Sequence, residues 1–462
     1  MAPSPAKPRK PNLDVPPGHD STWSGFGTAA AWLLLYLLLV SLPLLVLLLG
    51  QVPPGVSFWW DFSKALGFAA VSMISVQFAL TARFRRLASP YGIDIIYYFH
   101  RYLAIAALLI AFGHFAIIWV AYRNQVGTIN PLEAPWYMTA GRLALLLFAL
   151  AVITSEWREK LRLEYGLWRM LHIILATAGF AAAIAHILGV GYYTQAPLKR
   201  ALWLSMTLSW VALAVWVRLI RPAQQKQRPY RVAEVREEGC DTWTLALEPA
   251  GGAGLREFNP GQFAWLTLRA SPFAVKEHPF SISSAPQQLP RVEMTIRGLG
   301  DFTRAIETVR AGERAFLDGP YGIFSYRGYP AAPGFGFIVG GVGITPVISM
   351  LRSMAVECDP RPCWLFFANP TLDRVLFREE LERLKDQLNL TVVHIIQDPP
   401  DDWRGERGYI SKKMILRHAP VEQCPALHWF LCGPPPMLAA AEQQLLELGV
   451  RAGHVHVEIF NL

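Results

Sequence analysis

His100 and His114 stand fourteen residues apart in one apolar stretch, and His172 and His186 stand fourteen apart in another. At about 1.5 Å and 100° per residue, that interval is roughly 21 Å along a helix and four turns less about 40°. The two imidazoles of a pair therefore lie near one face of their helix, at two well-separated depths. Two such helices side by side offer two imidazole pairs, one above the other. Imidazoles on both axial positions of a haem iron leave no open site and favour electron transfer over ligand chemistry. His100, His114, His172 and His186 are accordingly the candidate ligands of two stacked b-type haems, a path for single electrons. The competing reading, a histidine that only hydrogen-bonds a neighbouring helix, does not explain equal spacing, matched depth and parallel direction together.

Positioning these residues takes a membrane. Six apolar segments precede residue 222, near Thr28–Gly50, Phe58–Thr81, Ile95–Ala121, Thr139–Thr154, Leu167–Val190 and Ala201–Ile220. A hydrocarbon core about 30 Å thick is spanned by about 20 apolar helical residues, and the fourth segment is the shortest. Lys7, Arg9 and Lys10 precede the first segment, and Arg83, Arg85 and Arg86 follow the second. Arg158, Lys160 and Arg162 follow the fourth, and Arg218, Arg221, Lys226 and Arg228 close the sixth. Positive-inside bias then places both termini in the cytoplasm, so the third and fifth spans run outward together. His100 and His172 fall on the cytoplasmic side, His114 and His186 on the outer side. Arg101 and Arg169 lie near the inner pair and Arg142 near the outer one, as candidate partners for haem propionates.

The formal charge of +8 reflects this topology; nucleic-acid binding is not expected, and nothing requires a partner protein. Residues 1–25 are Pro-rich, lack the apolar core of a cleaved signal, and read as a disordered cytoplasmic tail. All five cysteines follow the last span, with no paired CxxC, which suits a reducing compartment without a zinc or disulfide framework.

After Arg228 short alternating stretches appear, Tyr230–Val235, Thr242–Leu247, Gln262–Leu268, Phe280–Ser283 and Val292–Ile296. They predict an antiparallel barrel of roughly six strands. From Gly334 onward strand and helix patterns alternate, predicting a parallel, doubly wound sheet. Gly340-Gly341-Val342-Gly343-Ile344-Thr345-Pro346 follows an apolar strand and opens a helix. There glycines admit a pyrophosphate and the free N–H groups bind it. Leu431-Cys432-Gly433-Pro434 ends another strand before a helix, and both motifs on one sheet define a dinucleotide crevice.

His278-Pro279-Phe280-Ser281-Ile282-Ser283-Ser284, Arg297-Gly298-Leu299-Gly300-Asp301-Phe302-Thr303 and Asp318-Gly319-Pro320-Tyr321-Gly322 stand in the same order as the motifs of a known superfamily. Together with the glycine elements and the four histidines, the chain resembles the NADPH oxidases and ferric reductases, prokaryotic type, over about residues 26 to 462. The resemblance implies a six-helix bis-haem bundle (26–222), an FAD-binding β-barrel (223–330) and an NAD(P)-binding Rossmann-like domain of ferredoxin reductase type (331–462). It places Ser281 near the flavin N5, with His278, Pro279 and Phe280 along the FAD, and Arg297, Gly300 and Thr303 at its pyrophosphate. Gly340, Gly341, Gly343, Thr345, Pro346, Gly433 and Pro434 would hold the nicotinamide nucleotide. Cys432 would lie close to the hydride-donating carbon, and Phe460 would cover the flavin ring.

The expectation is an integral protein of a bacterial inner membrane, carrying FAD and two haems. It takes electrons from NADPH, with NADH as the alternative because Phe367-Ala368-Asn369-Pro370-Thr371 lacks the arginine often seen for a 2′-phosphate. Three acceptors compete: O2 giving superoxide, a ferric or cupric chelate, and a partner protein or quinone. The resemblance favours O2. A flavoreductase on a haem-free membrane anchor is the reading from a different class.

Overall fold

The computed structural model describes residues 22–49, 55–83, 92–252, 254–274, 276–421 and 425–459. Phe460 and Cys424 therefore lie outside the described residues, as do residues 1–21 of the expected tail, whose last four residues instead begin the first helix. Among those described, six helices are long and apolar enough to cross a membrane. They are α1 (Thr22–Leu47), α2 (Phe58–Leu80), α3 (Gly92–Ala121), α4 (Trp136–Glu156), α5 (Tyr165–Val190) and α6 (Pro197–Val215). Ser57 caps α2 by accepting from the Trp60 N–H, Gly191 ends α5 in the left-handed conformation at φ 68, and Pro197 opens α6. The helix of the sixth span runs past its expected end, through a π turn (Trp216–Ile220) and a last helical piece (Arg221–Lys226).

The pairings inside the bundle matter most for function. α2 packs along α3, and α4 packs along α5, so each histidine-bearing helix has its own companion. Phe180, Trp203 and Ala107 are fully buried where the pairs meet, while leucines of α1 such as Leu34, Leu38 and Leu45 face outward. An apolar exterior is what a lipid-facing bundle requires, because lipid provides no force to bury leucine.

The next six strands are β1 (Tyr230–Gly239), β2 (Thr242–Pro249), β3 (Phe263–Leu268), β4 (His278–Ser281), β5 (Val292–Arg297) and β6 (Arg314–Tyr321). All neighbours are antiparallel, in the order β4-β3-β6-β1-β2-β5. The expected barrel is corrected here: the edge strands β4 and β5 approach one another, but only the isolated bridge Ile282–Met294 joins them. The motif strand β4 is four residues long and turns away after Ser281, too short to complete a ladder.

The last six strands are β7 (Phe335–Gly340), β8 (Cys363–Asn369), β9 (Leu390–Ile396), β10 (Glu406–Arg407), β11 (His428–Cys432) and β12 (Val455–Glu458), all parallel. Their order is β10-β9-β8-β7-β11-β12, so the chain leaves β7 to one side for β8 and returns on the other as β11. Helices α7 (Ile344–Val356), α8 (Arg378–Gln387), α9 (Lys412–His418) and α10 (Pro435–Glu447) cover the sheet. β7 and β11 are buried throughout, the continuous apolar pattern of strands covered on both faces.

Candidate functional site

α3 and α5 bring His100 and His172 opposite one another, with ring centres 6.2 Å apart and planes nearly perpendicular at 78°. A metal held between two imidazoles at about 2.0–2.1 Å from each nitrogen needs ring centres roughly 6.3 Å apart. The companion helices then fix which ring nitrogen is free. The Nδ1 of His100 lies 2.9 Å from Gln77 Oε1 of α2. That of His172 lies 3.1 Å from Ser155 Oγ of α4, whose own proton goes to the Ala151 carbonyl. In the second pair, expected on the outer side, His114 Nδ1 lies 2.8 Å from the Ser63 carbonyl of α2, and His186 Nδ1 lies 2.8 Å from the Tyr137 carbonyl of α4. A carbonyl can only accept, so the Nδ1 of each outer imidazole carries the proton and Nε2 keeps its lone pair for a metal.

Two glycines let the companion helices come this close. A Cβ on Gly67 of α2 would stand 3.2 Å from the His114 ring, and one on Gly141 of α4 would stand 2.7 Å from His186 Nδ1. Among the described residues no group of three or more His, Cys, Asp or Glu is placed to hold a metal ion. The inner pair, with two facing imidazoles and no further protein donor among the described residues, would fit the axial positions of a haem. A cavity of about 760 Å³ opens at the inner pair, between His100 and His172 on one side and Trp265 and Glu277 of the antiparallel domain on the other. Gln77→Leu removes the acceptor from His100, and outer-shell losses of this kind typically weaken metal binding 10–100-fold. Haem titration of the purified variant is expected to show that weakening at the inner site alone.

The three arginines advanced for propionates all have protein partners in this structure. Arg101 forms a two-pronged pair with Glu156 and is largely exposed. Arg142 donates to the Thr128 and Ile129 carbonyls and so pins the outer loop. Arg169 Nη2 lies 2.6 Å from Glu277 Oε1, which also takes Arg83 Nη2 at 2.5 Å. Burial alone would raise the Glu277 carboxyl, but Arg83 and Arg169 outweigh it and hold it at about 2. Because the folded value lies below the ordinary value, the stability this group contributes is full above about pH 4.3 and is lost as pH falls towards 2. Thermal midpoints of wild type and Glu277→Gln are therefore expected to differ at pH 7 and converge near pH 2.

On β4, Ser281 is buried and its hydroxyl has no protein partner. An orphaned hydroxyl is costly unless something else completes it, and a flavin ring nitrogen would do so. His278 stacks on Phe302 at 3.9 Å, and Phe280 stacks on the same ring at 6.0 Å, which gathers flat apolar faces at the strand. Burial, and then the nearby Arg169, lower the His278 pKa and favour its neutral form. Pro279 lies opposite Trp265 in the ladder to β3. Thr303 is already committed, since its hydroxyl accepts from the N–H groups of Leu299 and Gly300 and caps the turn. Arg297, at the end of β5, brings Nη1 within 3.5 Å of where a Cβ of Gly341 would stand. The end of β5 and the glycine turn after β7 are thus neighbours.

Both glycine elements meet at the topological switch point. β11 lies between β7 and β12, with Cys432 opposite Val339 and Glu458. Gly341 has φ +53, and a Cβ on Gly343 would stand 2.3 Å from the Cys432 carbonyl. One on Gly433 would stand 3.0 Å from the Gly340 nitrogen, and one on Gly340 would stand 2.9 Å from Pro434. Thr345 donates to the Val342 carbonyl, and Pro346 is buried in the first turn of α7. Cys432 is fully buried beneath this junction. The α/β rule places ligands here, outside the carboxyl ends of the strands where their order reverses.

Sequence reasoning singled out neither the Nδ1 partners nor Asn369, which ends β8 buried with both amide atoms unpartnered. One signal was present: Ser63 and Gln77 are themselves fourteen residues apart, the histidine interval repeated on the companion helix.

Three family models match the chain in order. They are the ferric reductase like transmembrane component over residues 66–184, an FAD-binding domain over 230–325 and an oxidoreductase NAD-binding domain over 337–443. The chain has the architecture of the ferric reductase and NADPH oxidase superfamily. It carries FAD- and NAD-binding oxidoreductase domains after a membrane-embedded, ferric reductase like component.

Its relatives include NADH-cytochrome b5 reductase 1 of Debaryomyces hansenii, 32% identical over 157 residues, or 32% of this chain and 53% of that protein. Ferredoxin–NADP reductase B of Sorangium cellulosum is 29% identical over 240 residues, 50% of this chain and 96% of that one. A solved ferredoxin reductase in carbazole 1,9a-dioxygenase has 25% identity and a TM-score of 0.44, covering 50% of this chain and 69% of that chain. The chain spans about half the length of the cytochrome b5 reductases it matches.

Proposed function

We propose that this superfamily member carries electrons from cytosolic NADPH through FAD and two bis-histidine haems to O2 on the outer face, giving superoxide. The observation that carries the reading is the inner imidazole pair, with ring centres 6.2 Å apart and each Nδ1 beside an acceptor on a companion helix. Bound FAD supplies the conversion of a hydride pair into single electrons. The chain's own residues do the rest. The Gly340–Gly343 turn and the Cys432–Pro434 corner hold the nicotinamide nucleotide against the flavin domain, and Ser281 presents its hydroxyl to the flavin ring. His100 and His172 hold the inner iron, and His114 and His186 the outer one. The partnered Nδ1 atoms keep the four rings from turning.

The acceptor is argued from size and resemblance. The outer segments between α3 and α4 and between α5 and α6 leave no room for a domain that would dock a large substrate. Ferric or cupric chelate reduction, and donation to a partner protein or quinone, are the competing outcomes, because a fold and its cofactors do not determine the acceptor. Purified protein loaded with FAD and haem should show a low-spin haem spectrum. Given NADPH, it should form superoxide in air faster than it reduces a ferric chelate without oxygen. Fast anaerobic chelate reduction with little superoxide in air would make it a metalloreductase. Absence of a low-spin haem band would leave only the flavoreductase reading.

A further inference from the structure

We propose that Glu277 is a positioning residue that docks the flavin domain onto the inner haem site through a buried arginine clamp. The inference rests on the proposed electron path and adds the device that sets its cytosolic gap. Its membrane-side members come from three spans: Arg83 just after α2, Arg169 in the first turns of α5, and Arg221 at the continuation of α6. Its cytosolic members are Glu277 before β4, Asp318 in β6 and Trp265 in β3.

Glu277 Oε1 receives both Arg83 and Arg169, at 2.5 and 2.6 Å. Arg83 also reaches Asp318 Oδ2 at 3.6 Å, and Arg221 reaches the same oxygen at 2.8 Å. Arg221 bonds Tyr321 of β6 as well, and its second arm donates to the Ala82 carbonyl at 3.1 Å. The Arg83 guanidinium lies 3.9 Å over the Trp265 ring. Every charged member is at least four-fifths buried.

Burial is what turns these pairs from a surface decoration into a register. Exposed pairs contribute little and tolerate sliding. Buried charges stripped of their partners are strongly unfavourable, so a small displacement of the domain unpairs several at once. The docked pose is therefore narrowly specified. What it specifies is the approach to the inner site, because Arg169 stands three residues before His172 and shares its helix face. Glu277 directly precedes the flavin motif His278–Ser281. Trp265 is buried, lies opposite Pro279 of that motif and lines the cavity of His100 and His172. One clamp thus ties the flavin strand to the inner histidines, and Trp265 stands between them.

The test uses the full chain with Glu277→Gln and, separately, Arg83→Gln. Three quantities are read: NADPH-driven reduction of a soluble two-electron dye, anaerobic reduction of the haem band, and amide hydrogen exchange across residues 262–281 of cofactor-free protein. Expected in both variants are dye reduction within twofold of wild type, haem reduction slowed at least tenfold, and exchange at least tenfold faster. Haem reduction at the wild-type rate, or unaltered exchange, overturns the clamp. So does a parallel fall in dye and haem reduction, which would mean that Glu277 only supports the flavin fold. If wild-type protein reduces dye but never its haem, the electron path itself fails, and the exchange measurement still decides the clamp.

Discussion

A His172→Ala chain is expected to lose its inner haem, keep its outer one, and still reduce soluble dyes with NADPH at near the wild-type rate. On the proposed path His172 would supply one of the two imidazoles that stand 6.2 Å apart, and the small methyl of alanine leaves nothing to replace it. The low-spin absorbance should fall by about half, as one of two bis-imidazole centres disappears. Transfer to the outer acceptor should fall by at least ~1,000-fold, equivalent to about 4 kcal/mol at 1.36 kcal/mol per decade. His186→Ala provides the contrast. NADPH should then still reduce the remaining inner haem, while product on the outer side disappears. If both variants keep both haems, the histidines only brace their helices through the Gln77, Ser63, Ser155 and Tyr137 contacts, and the wire does not exist.

Gly343→Val is expected to break the opposite end. Gly343 has an ordinary helical backbone, so the cost is steric: a Cβ there stands 2.3 Å from the Cys432 carbonyl, a main-chain atom at the carboxyl end of β11. Neither element can yield without disturbing β7 or β11, and overpacking of this kind costs about 1–3 kcal/mol. The damage falls on the junction that receives the nucleotide. Reduction of dye and of haem by NADPH should both fall at least ~100-fold, about 2.7 kcal/mol of barrier. Dithionite should still give the full reduced haem spectrum, locating the defect at the hydride step. A variant that binds and uses NADPH normally would place the nucleotide elsewhere.

Much of the architecture was legible because it follows from local rules. A run of apolar residues long enough for a membrane, an alternation of period two, and glycines before a helix each carry their meaning within a few neighbours. Hence the six helices, the two sheets and the two glycine turns stand where their residues suggested, with boundaries moved by a few positions. The barrel was the exception, because closure depends on whether two edge strands far apart in sequence lie long enough side by side. β4 does not.

The arginines show the same limit more sharply. Arg101, Arg142 and Arg169 were assigned by depth alone, and depth does not say what faces them. Glu156, the Thr128 carbonyl and Glu277 do, and the last of these is 108 residues away in the chain.

By itself, the sequence determined that four histidines sit on two helices at two depths, that the basic residues cluster in alternate loops, and that flavin and nucleotide motifs follow. Rise per residue, charge placement and glycine chemistry are properties of a single strand of chain. Only the tertiary structure decided that α3 meets α5 with the inner rings 6.2 Å apart. It also decided that α2 and α4 engage the Nδ1 of every ring, and that Glu277 joins the flavin strand to the membrane helices. Those are relations between surfaces, set by which helix faces pack and by the cost of leaving a buried polar group unpaired. A period in one helix does not contain the direction of its neighbour.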